Sequence, residues 1–98
     1  MLFDWDEAKR KANIRKHGID FSDAARLLLS NPYVSESRNS GNDSARFIAI
    51  GELDGRAYTV IYTLRDDIYR IISARRANNG EKKRYRTLHG KADTAHEE

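Results

Sequence analysis

The sequence predicts an α+β domain: a meander of antiparallel strands, preceded by two short helices and followed by a third. Three observations carry this expectation. Arg46–Leu53, Ala57–Leu64 and Ile68–Ala74 are rich in β-branched and aromatic residues, and the turn-formers Asp54-Gly55 and Asp66-Asp67 separate them. Phe21, Ala24, Ala25 and Leu28 recur at the i, i+3, i+4, i+7 spacing of a core-facing helical stripe. The 98 residues, with no internal repeat, suffice for one modest core and not for two. We expect a single domain over residues 1–90 and a disordered tail over 91–98.

Taken in order, Leu2–Trp5 reads as a short strand. Asp4 or Asp6 then caps a helix over Asp6–Lys16, and Gly18 ends it. On that helix Trp5, Ala8 and Ala12 form a thin apolar stripe expected against the sheet, beside a polar stripe of Lys9, Asn13 and Lys16 or His17. Asp20 caps the second helix and Pro32 closes it. Tyr33–Arg38 alternates weakly, as an edge strand does, and Asn39–Ser44 is a polar loop by composition. Asp54-Gly55 is a strong two-residue hairpin turn, because both positions tolerate positive φ. Asn78 or Asn79 caps a last helix ending near Gly90, with Glu81, Arg84, Tyr85 and Leu88 on one side.

The hairpin Ala57–Arg76 admits two registers, and a one-residue change moves every side chain of one arm to the other face. With a three-residue loop, Leu64 pairs with Ile68. One face then collects Tyr58, Val60, Tyr62, Leu64, Ile68, Ile72 and Ala74, with Arg70 its only charge, while Thr59, Thr63, Tyr69, Ser73 and Arg75 share the other. With Asp66-Asp67 alone in the turn, Ser73 and Arg75 join Tyr58, Val60 and Tyr62. The first register segregates polar from apolar residues better and is the one expected.

Charge is unevenly spread. The net charge is only +3, yet Arg65–Lys91 holds nine Lys or Arg against Asp66, Asp67 and Glu81. Such a block is either a solvated surface or a footprint for phosphates, and its overlap with the arginine-bearing hairpin favours phosphates. With no cysteine and three scattered histidines, no metal or cofactor is expected. The N-terminus lacks an apolar run and nothing is long enough to span a bilayer, so the expectation is a soluble, cytoplasmic protein.

Phe3–Ala24, then Arg46–Gly51, Tyr62–Arg65, Arg70–Ala77 and the Glu81/Tyr85 pair resemble the BrnT toxins of bacterial toxin–antitoxin pairs. The ordered set W-D-x-x-K, N-x-x-K-H-G-x-x-F, Y-T-x-R and R-I-I-S-A-R carries the resemblance, over roughly Phe3–Tyr85. It implies a compact RelE-like fold, with an antiparallel sheet and both N-terminal helices on one face. It also implies a ribonuclease that halts translation and a BrnA-type antitoxin with ribbon-helix-helix elements, through which alone operator DNA would be met. Two places depart from the family pattern: Ser44-Ala45 precede Arg46 where an acidic residue is common, and Arg76 follows Arg75 where Lys is common.

Cutting RNA without a metal needs a base for the 2′-hydroxyl proton, cations for charge developing on phosphate, and an acid for the leaving oxygen. Arg65 and Arg75 are the phosphate-clamp candidates, since a guanidinium fork matches phosphate oxygens; pairing with Asp66, Asp67 or Glu81 is the competing reading. Lys9 is a candidate base if crowded arginines favour its neutral form, and His17 is a candidate because imidazole as a group type suits proton transfer at neutral pH; each is otherwise a surface or helix-end residue. Ser73 and Tyr85 suit substrate positioning, Arg76 and Lys82 suit RNA contact. Tyr69 is the strand aromatic assigned to base stacking, where Tyr58, Tyr62 and Phe47 are read as packing. A non-catalytic RNA- or protein-binding module using the basic third is the alternative.

Overall fold

The computed structural model describes residues 2–37 and 45–97. The chain runs β1 (Leu2–Trp5), α1 (Glu7–His17), α2 (Phe21–Leu28), β2 (Tyr33–Ser37), β3 (Arg46–Leu53), β4 (Arg56–Arg65), β5 (Ile68–Arg76) and α3 (Asn79–Glu97). The five strands form one sheet in the order β1-β5-β4-β3-β2. Four of them are antiparallel neighbours and β1 lies parallel to β5, so the sheet is mixed. The α+β class and the compact RelE-like arrangement follow. The expected loop over Asn39–Ser44 lies outside the described residues.

Local chemistry sets the boundaries. The Asp6 carboxylate accepts from the Lys9 amide at 3.0 Å, and Asp20 accepts from Ser22, so each N-terminal helix starts on an acidic cap. Gly18, at φ 72°, ends α1 with its amide on the Ile14 carbonyl at 2.8 Å, a left-handed conformation that glycine takes at no steric cost. Asp54 and Gly55 both have positive φ, closing the β3–β4 hairpin in two residues as expected. The last helix runs past Gly90, the end expected from sequence.

The core lies between α2 and one sheet face. Phe21, Ala24 and Leu27 are fully buried against Ala49, Val60, Tyr62, Ile71 and Ala74, and Trp5 meets Phe21 edge-on at 6.2 Å. A Cβ at Gly51 would stand 3.0 Å from Leu27 Cγ, so α2 approaches β3 where no side chain intervenes. On the opposite face α3 covers Ile50, Ala57 and Ala77, with Tyr33, Ile48 and Tyr85 at the margin.

Two expectations need correction. Ala8 and Ala12 are exposed, and the one buried residue of α1 is polar. Asn13 donates to the Ala74 carbonyl at 2.9 Å and to the Ile19 carbonyl at 3.0 Å, and accepts from the Ala74 amide at 3.1 Å. β1 pairs with β5 only as far as Ile71, and the Asn13 amide continues the ladder where that edge would be bare. The second correction concerns the β4–β5 hairpin. Asp66 and Asp67 alone turn the chain, so Arg65 pairs with Ile68 and Leu64 with Tyr69. A β-bulge then inserts Ile72: Tyr62 pairs with Ile71, Ile61 with Ser73 and Val60 with Ala74. The two-residue register therefore holds near the turn, and the face grouping of the three-residue register holds beyond the bulge. It is Ile71, not Ile72, that enters the core.

Candidate functional site

Because directly paired residues share a face, the register assigns every strand side chain to the α2 face or the α3 face. On the α3 face one row crosses all five strands, Ser37, Arg46, Thr63, Arg70 and Asp4. The next row toward α3 holds Ser35, Ile48, Ile61 and Ser73, and the row after it Tyr33, Ile50, Thr59 and Arg75. Thr59 and Ile50 are fully buried beneath α3, whereas Arg46, Ile48, Ile61, Thr63 and Ser73 are only half-buried and Arg65 and Arg70 are exposed. The α3 face thus has a covered half and a half that no described helix covers. Asp4, Thr63, Arg65, Asp66, Ile68 and Arg70 line a depression of about 490 Å³ at its end.

The border between the halves is held by one carboxylate. Glu81 Oε1 and Oε2 accept from Arg75 Nη1 at 2.9 Å and Nη2 at 2.8 Å. Glu81 Oε1 also accepts from the Thr59 hydroxyl at 2.9 Å and the Asn78 amide at 2.9 Å. Asn78 Oδ1 in turn accepts from the Glu81 amide at 2.8 Å, which completes a capping box at the start of α3. The Arg75 guanidinium above all, then the Asn78 amide and the Thr59 hydroxyl, hold the Glu81 carboxyl down at about 2 against the opposing effect of burial. Glu81 in turn pushes the Arg75 guanidinium further up.

Of the residues singled out from sequence, Arg65, Ser73 and Arg75 share the α3 face. Arg65 stands six residues from Thr59, the partner of Arg75, so the two arginine backbones are roughly 20 Å apart at ~3.3 Å per residue. They flank a track and cannot grip one phosphate together. Tyr69 and Arg76 belong to the α2 face: the Tyr69 ring lies 5.7 Å from Phe3 and 5.3 Å from Tyr62, and the Arg76 guanidinium sits 5.9 Å over Tyr58. Lys9 and His17 are exposed on α1, on the stripe of Asn13 that meets the β5 edge. Lys82 and Tyr85 are on α3. Tyr85 packs on the cluster around Ile50, where burial and then Glu52 raise its phenol.

The Arg75–Glu81 pairing is the competing reading that the sequence offered for this arginine. Sequence reasoning missed Arg46, Thr63 and Arg70 as a row, and Thr59 as the residue that braces Glu81. Two signals could have found them. The Asp54-Gly55 turn fixes Arg46 opposite Thr63, and Asn78-x-x-Glu81 is a capping-box spacing.

A family model described as "Ribonuclease toxin, BrnT, of type II toxin-antitoxin system" matches residues 5–81. No curated protein matches the chain. The matched stretch takes in both N-terminal helices, the whole sheet from Trp5 onward and Glu81 at the start of α3.

Proposed function

The chain belongs to the BrnT family of ribonuclease toxins of type II toxin–antitoxin systems, and from that premise we propose that it cuts RNA along the uncovered half of its α3 face, without a metal, and so stops translation. The observation that supports this reading is the row Arg46, Thr63, Arg70 flanked by Arg65 at one end and Arg75 at the other. Such a track suits a single strand of RNA, whose phosphates would follow the arginines while Ile48 and Ile61 offer apolar contact between them.

The 20 Å between Arg65 and Arg75 divides their roles. Arg75, beside Ser73 and braced by Glu81, stabilises charge on the scissile phosphate, and Arg65 holds a phosphate farther along. The RNA 2′-hydroxyl gives its proton to the base as its oxygen attacks the adjacent 3′-phosphate, the bond to the 5′-oxygen breaks, that oxygen takes a proton from water, and a cyclic phosphate and a 5′-hydroxyl end result. Lys9 and His17, each about one turn from Asn13 on the α1 stripe that meets the β5 edge, are the two base candidates. The Ser73 hydroxyl positions the substrate. No helix among the described residues is long and apolar enough to cross a membrane. The site of action we propose is the cytoplasm, and the partner a BrnA-like ribbon-helix-helix antitoxin that covers the same track.

Single-turnover cleavage of a labelled RNA in EDTA, alongside binding at several salt concentrations, tests this. Arg75→Ala should slow cleavage by about 10² to 10³-fold with little change in affinity. Arg65→Ala should weaken binding and reduce the salt slope by about one. A wild-type protein that leaves RNA intact with or without ribosomes, while both variants merely bind less tightly, would make it a binding module instead.

A further inference from the structure

Arg75 has five N–H donors, and three are used. Nη1 gives one to Glu81 Oε1 and one to the Arg76 carbonyl at 3.2 Å, and Nη2 gives one to Glu81 Oε2. The Nε–H and the second Nη2 hydrogen remain, and no described residue takes them. These two lie side by side on the planar guanidinium and point the same way, which is the fork geometry that matches two oxygens of a phosphate. The guanidinium is gripped by its end and left open along its side.

The grip does not resemble a surface ion pair. The Glu81 side chain is 9% exposed, and its carboxylate is fixed independently by the Thr59 hydroxyl and the Asn78 amide. The Arg75 side chain is 35% exposed and stands at the border with the uncovered half, two residues along β5 from Ser73. Pinning α3 to the sheet is already served by the Thr59 hydroxyl on Glu81, and the start of α3 by the capping box. Adding a bidentate arginine with its side fork left over is what a preorganised phosphate donor requires, because long arginine side chains otherwise lose rotamer freedom on binding.

We propose that Glu81 is a positioning residue of the RNA site: it locks Arg75 by the Nη1/Nη2 end, so that the Nε–H/Nη2–H fork is presented to an RNA phosphate beside Ser73. This rests on the ribonuclease reading above and assigns Glu81 no contact with RNA.

The decisive measurement is the Arg75 Nε–H resonance during titration with a short 2′-O-methyl RNA, which lacks the attacking hydroxyl and cannot be cut. In the wild-type chain that resonance should shift on binding, and in Glu81→Gln, whose amide cannot accept both guanidinium hydrogens, it should broaden and shift less. Cleavage adds a second arm. Glu81→Gln should slow single-turnover cleavage at saturating RNA by about 10- to 100-fold with affinity changed far less, as a misplaced group does. In an Arg75→Ala background the same substitution should have no further effect. An Nε–H resonance that stays put at saturation overturns the proposal, and so does a Glu81→Gln loss that persists undiminished when Arg75 is absent. Should Glu81→Gln not fold, the same comparison is made with Glu81→Asp, whose shorter side chain draws the carboxylate back from the guanidinium end. Absence of cleavage in the wild type would instead remove the ribonuclease reading, while the resonance still reports on the fork.

Discussion

The two faces of the sheet are made from the same strands and are filled in opposite ways. Against α2 the side chains of β3, β4 and β5 are apolar and closed: Ala49, Val60, Ile71 and Ala74 are at most 1% exposed. Against α3 the alternate residues of those strands bury a small cluster of Ile50 and Ala57 together with Thr59, on which the Glu81 carboxylate of α3 rests, and toward Arg46, Thr63 and Arg70 no described helix lies over them. Stability is therefore concentrated on one face, and the other is left to carry charge. A loop could not supply such a track, because cross-strand pairing fixes the spacing of the arginines to that of the strands.

The largest expected effect contrasts the faces directly. Phe21 is fully buried against the α2 face, and Phe21→Ala should cost about 3–5 kcal/mol, whereas Ile68→Ala, at a side chain 37% exposed on the α3 face, should cost about 1 kcal/mol or less. Urea unfolding of both variants checks this. Equal losses would mean that the α3 face is as much a core as its opposite.

A smaller effect separates the covered half of the α3 face from everything else through pH. The Glu81 carboxyl is held at about 2 in the folded chain against an ordinary 4.5. A lowered folded value means that the stabilisation is fully present above pH 4.5 and is lost as pH falls toward 2. The shift corresponds to roughly 3 kcal/mol at most, an order-of-magnitude figure for a buried group. Stability measured from pH 6 down to about 2 should fall steeply in the wild type and less in Glu81→Gln, which starts lower. Parallel curves would show that Glu81 is not the titrating bracket.

The same contrast explains what the sequence could and could not disclose. The α2 face was legible where periodicity and burial agree: the Phe21, Ala24, Leu28 stripe and the caps Asp6, Gly18 and Asp20 depend on neighbours within one turn. It failed at α1, where the buried residue is Asn13 and its partner Ala74 lies 61 residues away. Burial of a polar side chain leaves no hydrophobic pattern to read. The hairpin failed differently: Ile72 is one residue out of phase, so the two-residue register is correct up to the bulge and only the face grouping of the three-residue register holds beyond it. Placing Tyr69 with Thr59 and Thr63 followed from the three-residue loop, and the two-residue turn, which pairs Tyr69 with Leu64, moves it to the α2 face. Arg75 was recognisable as a cation, but its bracket needed Glu81 brought back over β4, which only the packing of α3 supplies.

The smallest expected effect on stability is the most informative about charge. Asp4 pairs with Arg70 at the end of the cationic row, and both side chains are about half exposed, 54% and 49%. Exposed pairs of this kind contribute about 0–1 kcal/mol, so Asp4→Asn should leave the unfolding midpoint nearly unchanged. Its effect on RNA should be the reverse of a structural lesion, because Arg70 loses its competitor and the track gains one positive charge. Affinity for RNA should rise, and the slope of log affinity against log salt should steepen by about one phosphate contact. Arg70→Ala should flatten the slope by the same amount, again with little change in stability. If Asp4→Asn leaves both affinity and slope where they were, RNA does not cross the row of Arg46, Thr63 and Arg70, and the uncovered half of the α3 face must be assigned to another partner.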